Sequence, residues 1–208
     1  MTNELSERYP CLVACKGDII EAQKIIIDCY EKGGKLILCG NGGSAADCEH
    51  IAGELMKGFL KKRPLSDEEK QKMKKEYPGL SDETLSLLQQ GLPAVSLPSM
   101  SGFNSAVCND IGSDLCYAQG VFALGKEIDV LFAISTSGNS VNVCIAAEVA
   151  KGKGMKVVSL TGKSGGKLKE ISDVSVCVPE TETYKIQELH LPVYHYICAA
   201  VEKHFFGI

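Results

Sequence analysis

Five short apolar runs punctuate this chain, and much of what lies between them has a helical pattern. They fall at 35–39 (Lys35-Leu36-Ile37-Leu38-Cys39), 93–98, 129–135 (Asp129-Val130-Leu131-Phe132-Ala133-Ile134-Ser135), 156–160 and 174–178. Each is short and mostly apolar, as expected of strands covered on both faces. Alternation of such runs with helices predicts an α/β, doubly wound fold, a parallel sheet with helices on both sides. The first helical region, 17–31, opens with Asp18 and Glu21 in capping-box spacing and ends near Gly33-Gly34. The last, 184–205, is apolar on most faces and carries Pro192, which predicts a kink. A helix that apolar needs partners on several sides, a neighbouring subunit among them.

Composition narrows the class. With 208 residues, 45% hydrophobic and 23% charged, the chain reads as one domain over 1–208 with a sizeable core. A net charge of −4 gives no reason to expect a nucleic-acid partner. No apolar stretch approaches the roughly 18–20 residues of a membrane span. Met1–Pro10 is polar and lacks the basic-then-apolar layout of a secretory signal, so a cytoplasmic location is expected. The ten cysteines include no Cys-x-x-Cys pair and mostly sit in apolar runs, where a thiol acts as a small hydrophobe. Cys48 is the candidate exception, since it shares a helix with His50 beside a glycine loop. Residues 61–91 form a charged insertion between the first two strands. Pro64, Pro78 and Gly79 divide it into two short helices capped by Ser66 and Ser81, a solvated helical hairpin.

The chemistry concentrates after the strands. Gly40-Asn41-Gly42-Gly43-Ser44 follows the first apolar run and opens a helix. Glycines let the backbone N–H groups approach an anion, and the helix N-terminus adds free donors and a positive dipole end. His50 and Glu54, four apart, share one face of that helix as a possible metal-binding or acid/base pair. Ser135-Thr136-Ser137-Gly138-Asn139-Ser140 repeats the arrangement after the third run, ahead of a helix over 141–150. Two cradles at the carboxyl edge of one sheet suit a sugar phosphate, one for the phosphate and one for the polyol.

Nucleotide sites fit less well. Gly40-x-Gly42-x-x-Ala45 matches only the loosest dinucleotide fingerprint, and the second strand ends in Leu97-Pro98-Ser99 with no acid for a ribose. No Gly-Lys-Ser/Thr follows either loop, so neither is a P-loop.

A third constellation, Gln187-Glu188-Leu189-His190-Leu191-Pro192-Val193-Tyr194-His195, places a carboxamide and two histidines on the apolar last helix, where polar groups need partners. Gln187 and His195 are eight residues apart, about 12 Å along a regular helix at ~1.5 Å per residue. Spacing alone pairs Gln187 with His190, three positions on. Gln187 with His195 at one ion requires a distorted helix, a Gln187 ahead of the helix, or ligands from different subunits.

These residues resemble the sugar isomerase (SIS) domain family, within it the phosphoheptose isomerase branch. The resemblance runs from about residue 12 to the end, outside 61–91. It is carried by Gly40–Ser44, His50-x-x-x-Glu54, Asn109-Asp110, Ser135–Ser140 and Gln187 through His195. It implies a three-layer α/β/α sandwich with a five-stranded parallel sheet, flavodoxin-like, in a homotetramer whose active sites lie between subunits. It also implies one zinc ion per subunit at His50, Glu54, Gln187 and His195, with His190 the alternative ligand. Asn41, Gly42, Gly43, Ser44, Asn109, Asp110, Ser135, Thr136, Ser137 and Ser140 fall at substrate-binding positions, where Glu54 and Gln187 also touch substrate. Glu54 and His195 match the acid/base pair. Tyr184, three before Gln187, stands where some relatives carry an acid, and the insertion is longer than usual.

The implied reaction converts sedoheptulose 7-phosphate to D-glycero-D-manno-heptose 7-phosphate through an enediol, which a carboxylate and a second proton-transfer group can serve. Two other readings are another phosphosugar as substrate, and a non-catalytic relative that binds a partner protein such as a replication initiator. Retention of Glu54, Gln187 and His195 argues against the last.

Overall fold

The computed structural model describes residues 3–207. The first two residues of the polar Met1–Pro10 stretch, and Ile208, therefore lie outside the described residues. In chain order the elements are α1 (Asn3–Arg8), a 3-10 segment Pro10–Cys15, α2 (Lys16–Glu31), β1 (Leu36–Gly40), α3 (Gly43–Met56), α4 (Asp67–Glu76), α5 (Asp82–Leu87) and β2 (Ala94–Ser96). There follow α6 (Ser101–Asp110), α7 (Cys116–Leu124), β3 (Val130–Ser135), α8 (Val141–Gly152), β4 (Lys156–Thr161), α9 (Gly166–Ile171), β5 (Val174–Cys177) and α10 (Thr183–Phe206). All five apolar runs are strands. They form one five-stranded sheet in the order β2-β1-β3-β4-β5, parallel throughout.

Burial follows the two-residue period of a strand. Leu36, Leu38, Phe132, Ile134, Val158 and Leu160 pack against α2, α3 and α10. Ile37, Cys39, Leu131, Ala133 and Val157 face α7 and α8. Both faces of the sheet are thus covered, which explains why the strands read as mostly apolar runs. Strand order reverses between β1 and β3, so the loops leaving their carboxyl ends flank the crevice where such sheets bind ligands.

Three local expectations need correction. The Asp18/Glu21 capping box does not form: Cys15 holds the cap position of α2 without a side-chain bond, because the chain enters from a 3-10 segment anchored by buried Leu12 and Cys15. Cys48 is fully buried in the core, and burial pushes its thiol well above the ordinary range, so it is no reactive exception. The insertion is not solvated throughout. Ser66 and Ser81 cap α4 and α5 as expected, and α4 buries no residue. Arg63, at the neck, is buried, and its Nε donates to Glu202 of α10 at 2.8 Å. A charge run says nothing about which member meets a counter-ion from a distant helix.

α10 runs unbroken through Pro192. The carbonyl left without its donor is that of Glu188, four residues back, which is exposed and open to water.

Candidate active site

The β1–α3 loop is shaped by contacts that exclude side chains. A Cβ on Gly40 would lie 2.9 Å from the Ser44 Cβ and 3.0 Å from the Ile134 carbonyl oxygen, so only glycine fits. Gly42 caps α3 with φ +57°, in the left-handed region. The start of α3 closes the turn: the Ser44 N–H donates to the Asn41 carbonyl and the Ala45 N–H to the Gly42 carbonyl, both at 3.0 Å. Tyr117 of α7 secures the strand end, its hydroxyl donating to the Gly40 carbonyl at 2.7 Å.

The second loop is held to the first. Asn41 and Asn142 exchange amide hydrogen bonds of 2.9 and 3.0 Å across the switch point. Behind them the Ser135 hydroxyl lies 3.0 Å from that of Ser140 and 3.5 Å from that of Ser137, while Ser137 accepts from the Asn139 N–H at 3.1 Å. Thr136, the remaining hydroxyl, belongs to the same turn, and its carbonyl accepts from Gly162 N–H. Gly138 packs directly on Gly165 and Gly166. A third glycine-rich turn, residues 162–166 after β4, thus belongs to the same edge. Neither it nor Asn142 was found from sequence, although the strand-then-glycine pattern was there to find.

Beside these loops α3 and α10 lie side by side in the same direction. Gln187 packs on Gly43, where a Cβ would come within 2.5 Å of its Nε2. Further along, His195 Nε2 lies 3.4 Å from His50 Nε2, and His50 Nε2 lies 3.2 Å from Glu54 Oε1. The expected pair His50/Glu54 and the distant His195 therefore meet. Gln187 does not join them within one chain: Gly43 and His50 are seven positions apart, about 10 Å along α3 at ~1.5 Å per residue. His190, the alternative, is not among the contacts of this cluster. It is fully buried toward Thr161 of β4, neither ring nitrogen has a partner among the described residues, and burial pulls its pKa down to about 4. Asn109 and Asp110 sit exposed at the end of α6, bonded to each other at 2.7 Å.

The electrostatics suit proton transfer. Burial, and next the neighbouring His50, lower the His195 pKa, with Glu54 pulling the other way; a neutral imidazole at physiological pH results. The Glu54 side chain is 14% exposed, and its second oxygen is 3.3 Å from Lys57 Nζ. Two residues not singled out from sequence complete the cluster. Tyr194 donates its hydroxyl hydrogen to Asp47 Oδ1 at 3.2 Å, and the same hydroxyl lies 3.0 Å from His50 Nδ1. Asp47 stands one turn before His50, a spacing that could have flagged it; Tyr194, buried on an apolar helix, reads as core.

Among the described residues, no three His, Cys, Asp or Glu side chains are grouped so as to hold a metal ion as they stand. The chemistry of the donor set nonetheless fits one. The 3.2 and 3.4 Å separations are close to the roughly 3.3 Å between neighbouring donors around a tetrahedral zinc with ~2.0–2.1 Å bonds.

The family model for the SIS domain matches residues 12–90 and 85–162. A phosphoheptose isomerase of Helicobacter pylori (strain P12) is 39% identical over 181 residues, 87% of this chain and 81% of that protein. The chain belongs to the phosphoheptose isomerase family. A Burkholderia pseudomallei (strain K96243) phosphoheptose isomerase is 37% identical over 213 residues, spanning 100% of this chain and 95% of its own. The solved phosphoheptose isomerase of Francisella tularensis superposes with a TM-score of 0.74 at 30% identity, covering 98% of this chain and 100% of that one. That of Neisseria gonorrhoeae gives 0.72 at 30% identity over 97% and 98%. Family membership makes the chain an isomerase, with the α/β/α fold expected from its motifs. No helix among the described residues is long and apolar enough to cross a membrane.

Proposed function

We propose that this isomerase interconverts sedoheptulose 7-phosphate and D-glycero-D-manno-heptose 7-phosphate, with Glu54 and His195 as the acid/base pair. The observation that carries the reading is the convergence of His50, Glu54 and His195 beside two loops of glycine N–H groups and serine hydroxyls. With the sugar open-chain, the Glu54 carboxylate takes a proton from C1 and returns it to C2. His195 moves a proton between the two oxygens as the enediol forms and collapses. The backbone of Gly42–Ser44 and the hydroxyls of Ser135, Thr136, Ser137 and Ser140 hold the phosphate and polyol, and Asn41 is oriented by Asn142. Asn109 and Asp110 complete substrate binding from the end of α6.

Zinc is the metal this donor set favours, with His50, Glu54 and His195 as ligands and Gln187 the fourth. Bound there, it would polarise the substrate carbonyl as a Lewis acid. Because Gln187 lies about two turns away along α3 in its own chain, a homotetramer with sites between subunits supports the set better than a monomer. The exposed Leu191, and Ala199 and Ala200 lining a groove of about 650 Å³ along α10, fit a subunit contact. A cytoplasmic enzyme is consistent with the small phosphorylated substrate.

An NMR assay of aldose–ketose interconversion on C5 to C7 phosphosugars tests the reading. Turnover of the seven-carbon pair at the highest kcat/KM is the expected result; preference for a shorter sugar would move the assignment to another substrate.

A further inference from the structure

The tyrosine at the centre of the α3–α10 seam has one proton and two neighbours. Asp47 is acceptor-only when ionised, so the bond to its Oδ1 uses the Tyr194 hydroxyl hydrogen. With its one hydrogen committed to Asp47, the tyrosine oxygen can only accept from its second neighbour. The His50 Nδ1, 3.0 Å from the same oxygen, can bond to it only by donating. His50 is then the Nδ1–H tautomer, and the lone pair of Nε2 points at Glu54 Oε1 and His195 Nε2. An ionised Glu54 has no hydrogen to offer that lone pair, and a metal ion seated among the three atoms would engage it.

We propose that Tyr194 and Asp47 form a positioning relay that fixes the His50 tautomer and holds Nε2 open as a metal-ligating lone pair. The inference rests on the reading of His50 as part of the reaction centre, but the tautomer is set by contacts that need no substrate. Ring packing adds to the orientation: the Tyr194 ring meets His50 edge-on with centroids 5.5 Å apart and His195 at 5.0 Å. Hydrogen-bonding partners behind a metal-ligating histidine typically change metal affinity by about 10- to 100-fold.

The chain has four histidines, so nitrogen-15 histidine labelling yields few ring signals, and His50→Gln assigns the relevant one. In metal-free protein at pH 8, the proposal expects a protonated Nδ1 and a bare Nε2 at His50. Tyr194→Phe keeps the ring but removes the hydroxyl; it should shift the ring toward the Nε2–H form and weaken zinc binding about 10- to 100-fold in a chelator competition. Asp47→Asn leaves an acceptor for the hydroxyl and should retain the Nδ1–H form with a smaller loss of affinity. An Nε2–H ring in the unsubstituted protein overturns the relay, as does a Tyr194→Phe protein with unchanged tautomer and zinc affinity. Inactivity of the unsubstituted protein on phosphosugars, with the Nδ1–H form present, would overturn the substrate assignment and leave the relay standing.

Discussion

The seam between α3 and α10 carries two polar clusters of opposite character. At its far end Arg63 and Glu202 are fully buried and paired with each other. Glu202 accepts from the Phe59 and Leu60 N–H groups and from Arg63 Nε at 2.7–2.8 Å, while Arg63 also donates to the Leu55 and Glu54 carbonyls. Midway along, His50, Glu54 and His195 are half-open to solvent, and His50 Nε2 faces both Glu54 Oε1 and His195 Nε2. Each guanidinium nitrogen and each carboxylate oxygen in the first cluster has a partner, which makes it structural: it closes the C-terminal end of α3 and the neck of the insertion. The second stays open to solvent, which leaves capacity for a ligand or a proton in transit. Arg63 also fixes the backbone carrying Glu54, so the rigid cluster positions the reactive one.

The comparison breaks most readily at Glu54. Glu54→Gln keeps the shape and removes the base, so kcat should fall about 10²- to 10⁴-fold. Thermal unfolding should move little, and substrate should still raise the melting temperature. A loss of stability as large as the loss of rate would mean that the two clusters do not differ in kind.

Arg63→Ala should act the other way. Leaving Glu202 buried without its partner costs about 3–5 kcal/mol, read as a shift in the denaturation midpoint. Replacing both partners by apolar residues, Arg63→Met with Glu202→Leu, should recover part of that loss. If the single substitution were neutral, the pair would not be what closes the neck.

Acid should weaken the same cluster. Burial raises the Glu202 pKa, but bonds from the Phe59 and Leu60 N–H groups and from Arg63 outweigh it and hold the folded value below the ordinary 4.5. A depressed folded pKa contributes stability that is complete above the unfolded value and lost as pH falls through the folded one. Stability should therefore decline below about pH 4.5, and Glu202→Gln should flatten that part of the profile in denaturant titrations.

The smallest effect is expected at the loops. Ser137→Ala removes an exposed hydroxyl that supports the Asn139 N–H and faces the cradle, so KM should rise several-fold with kcat nearly unchanged. A fall in kcat with constant KM would place Ser137 in the chemistry instead.

What could be read from sequence divides along the same physical line. Strands covered by helices leave short, mostly apolar runs, so all five were legible, and Gly40–Ser44 and Ser135–Ser140 follow from strand, glycine and helix in succession. The His50/Glu54 face follows from helical spacing. The junction of His195 with that face depends on how α10 lies on α3, and came from family resemblance; spacing favoured His190, which the fold buries toward β4. Arg63 looked like one more charge in a solvated insertion, and Tyr194 like core. Both gain their roles from partners more than 130 positions away (Glu202 and His50), which no local pattern encodes.

The central claim is that Glu54 removes the carbon-bound proton. Incubating the seven-carbon ketose phosphate in D₂O and following loss of the C1 proton signal tests it without requiring full turnover. The unsubstituted protein should exchange that proton, and Glu54→Gln should exchange it at least about 10²-fold more slowly while still binding the sugar. Near-normal exchange in Glu54→Gln would contradict the account and move the base to another group.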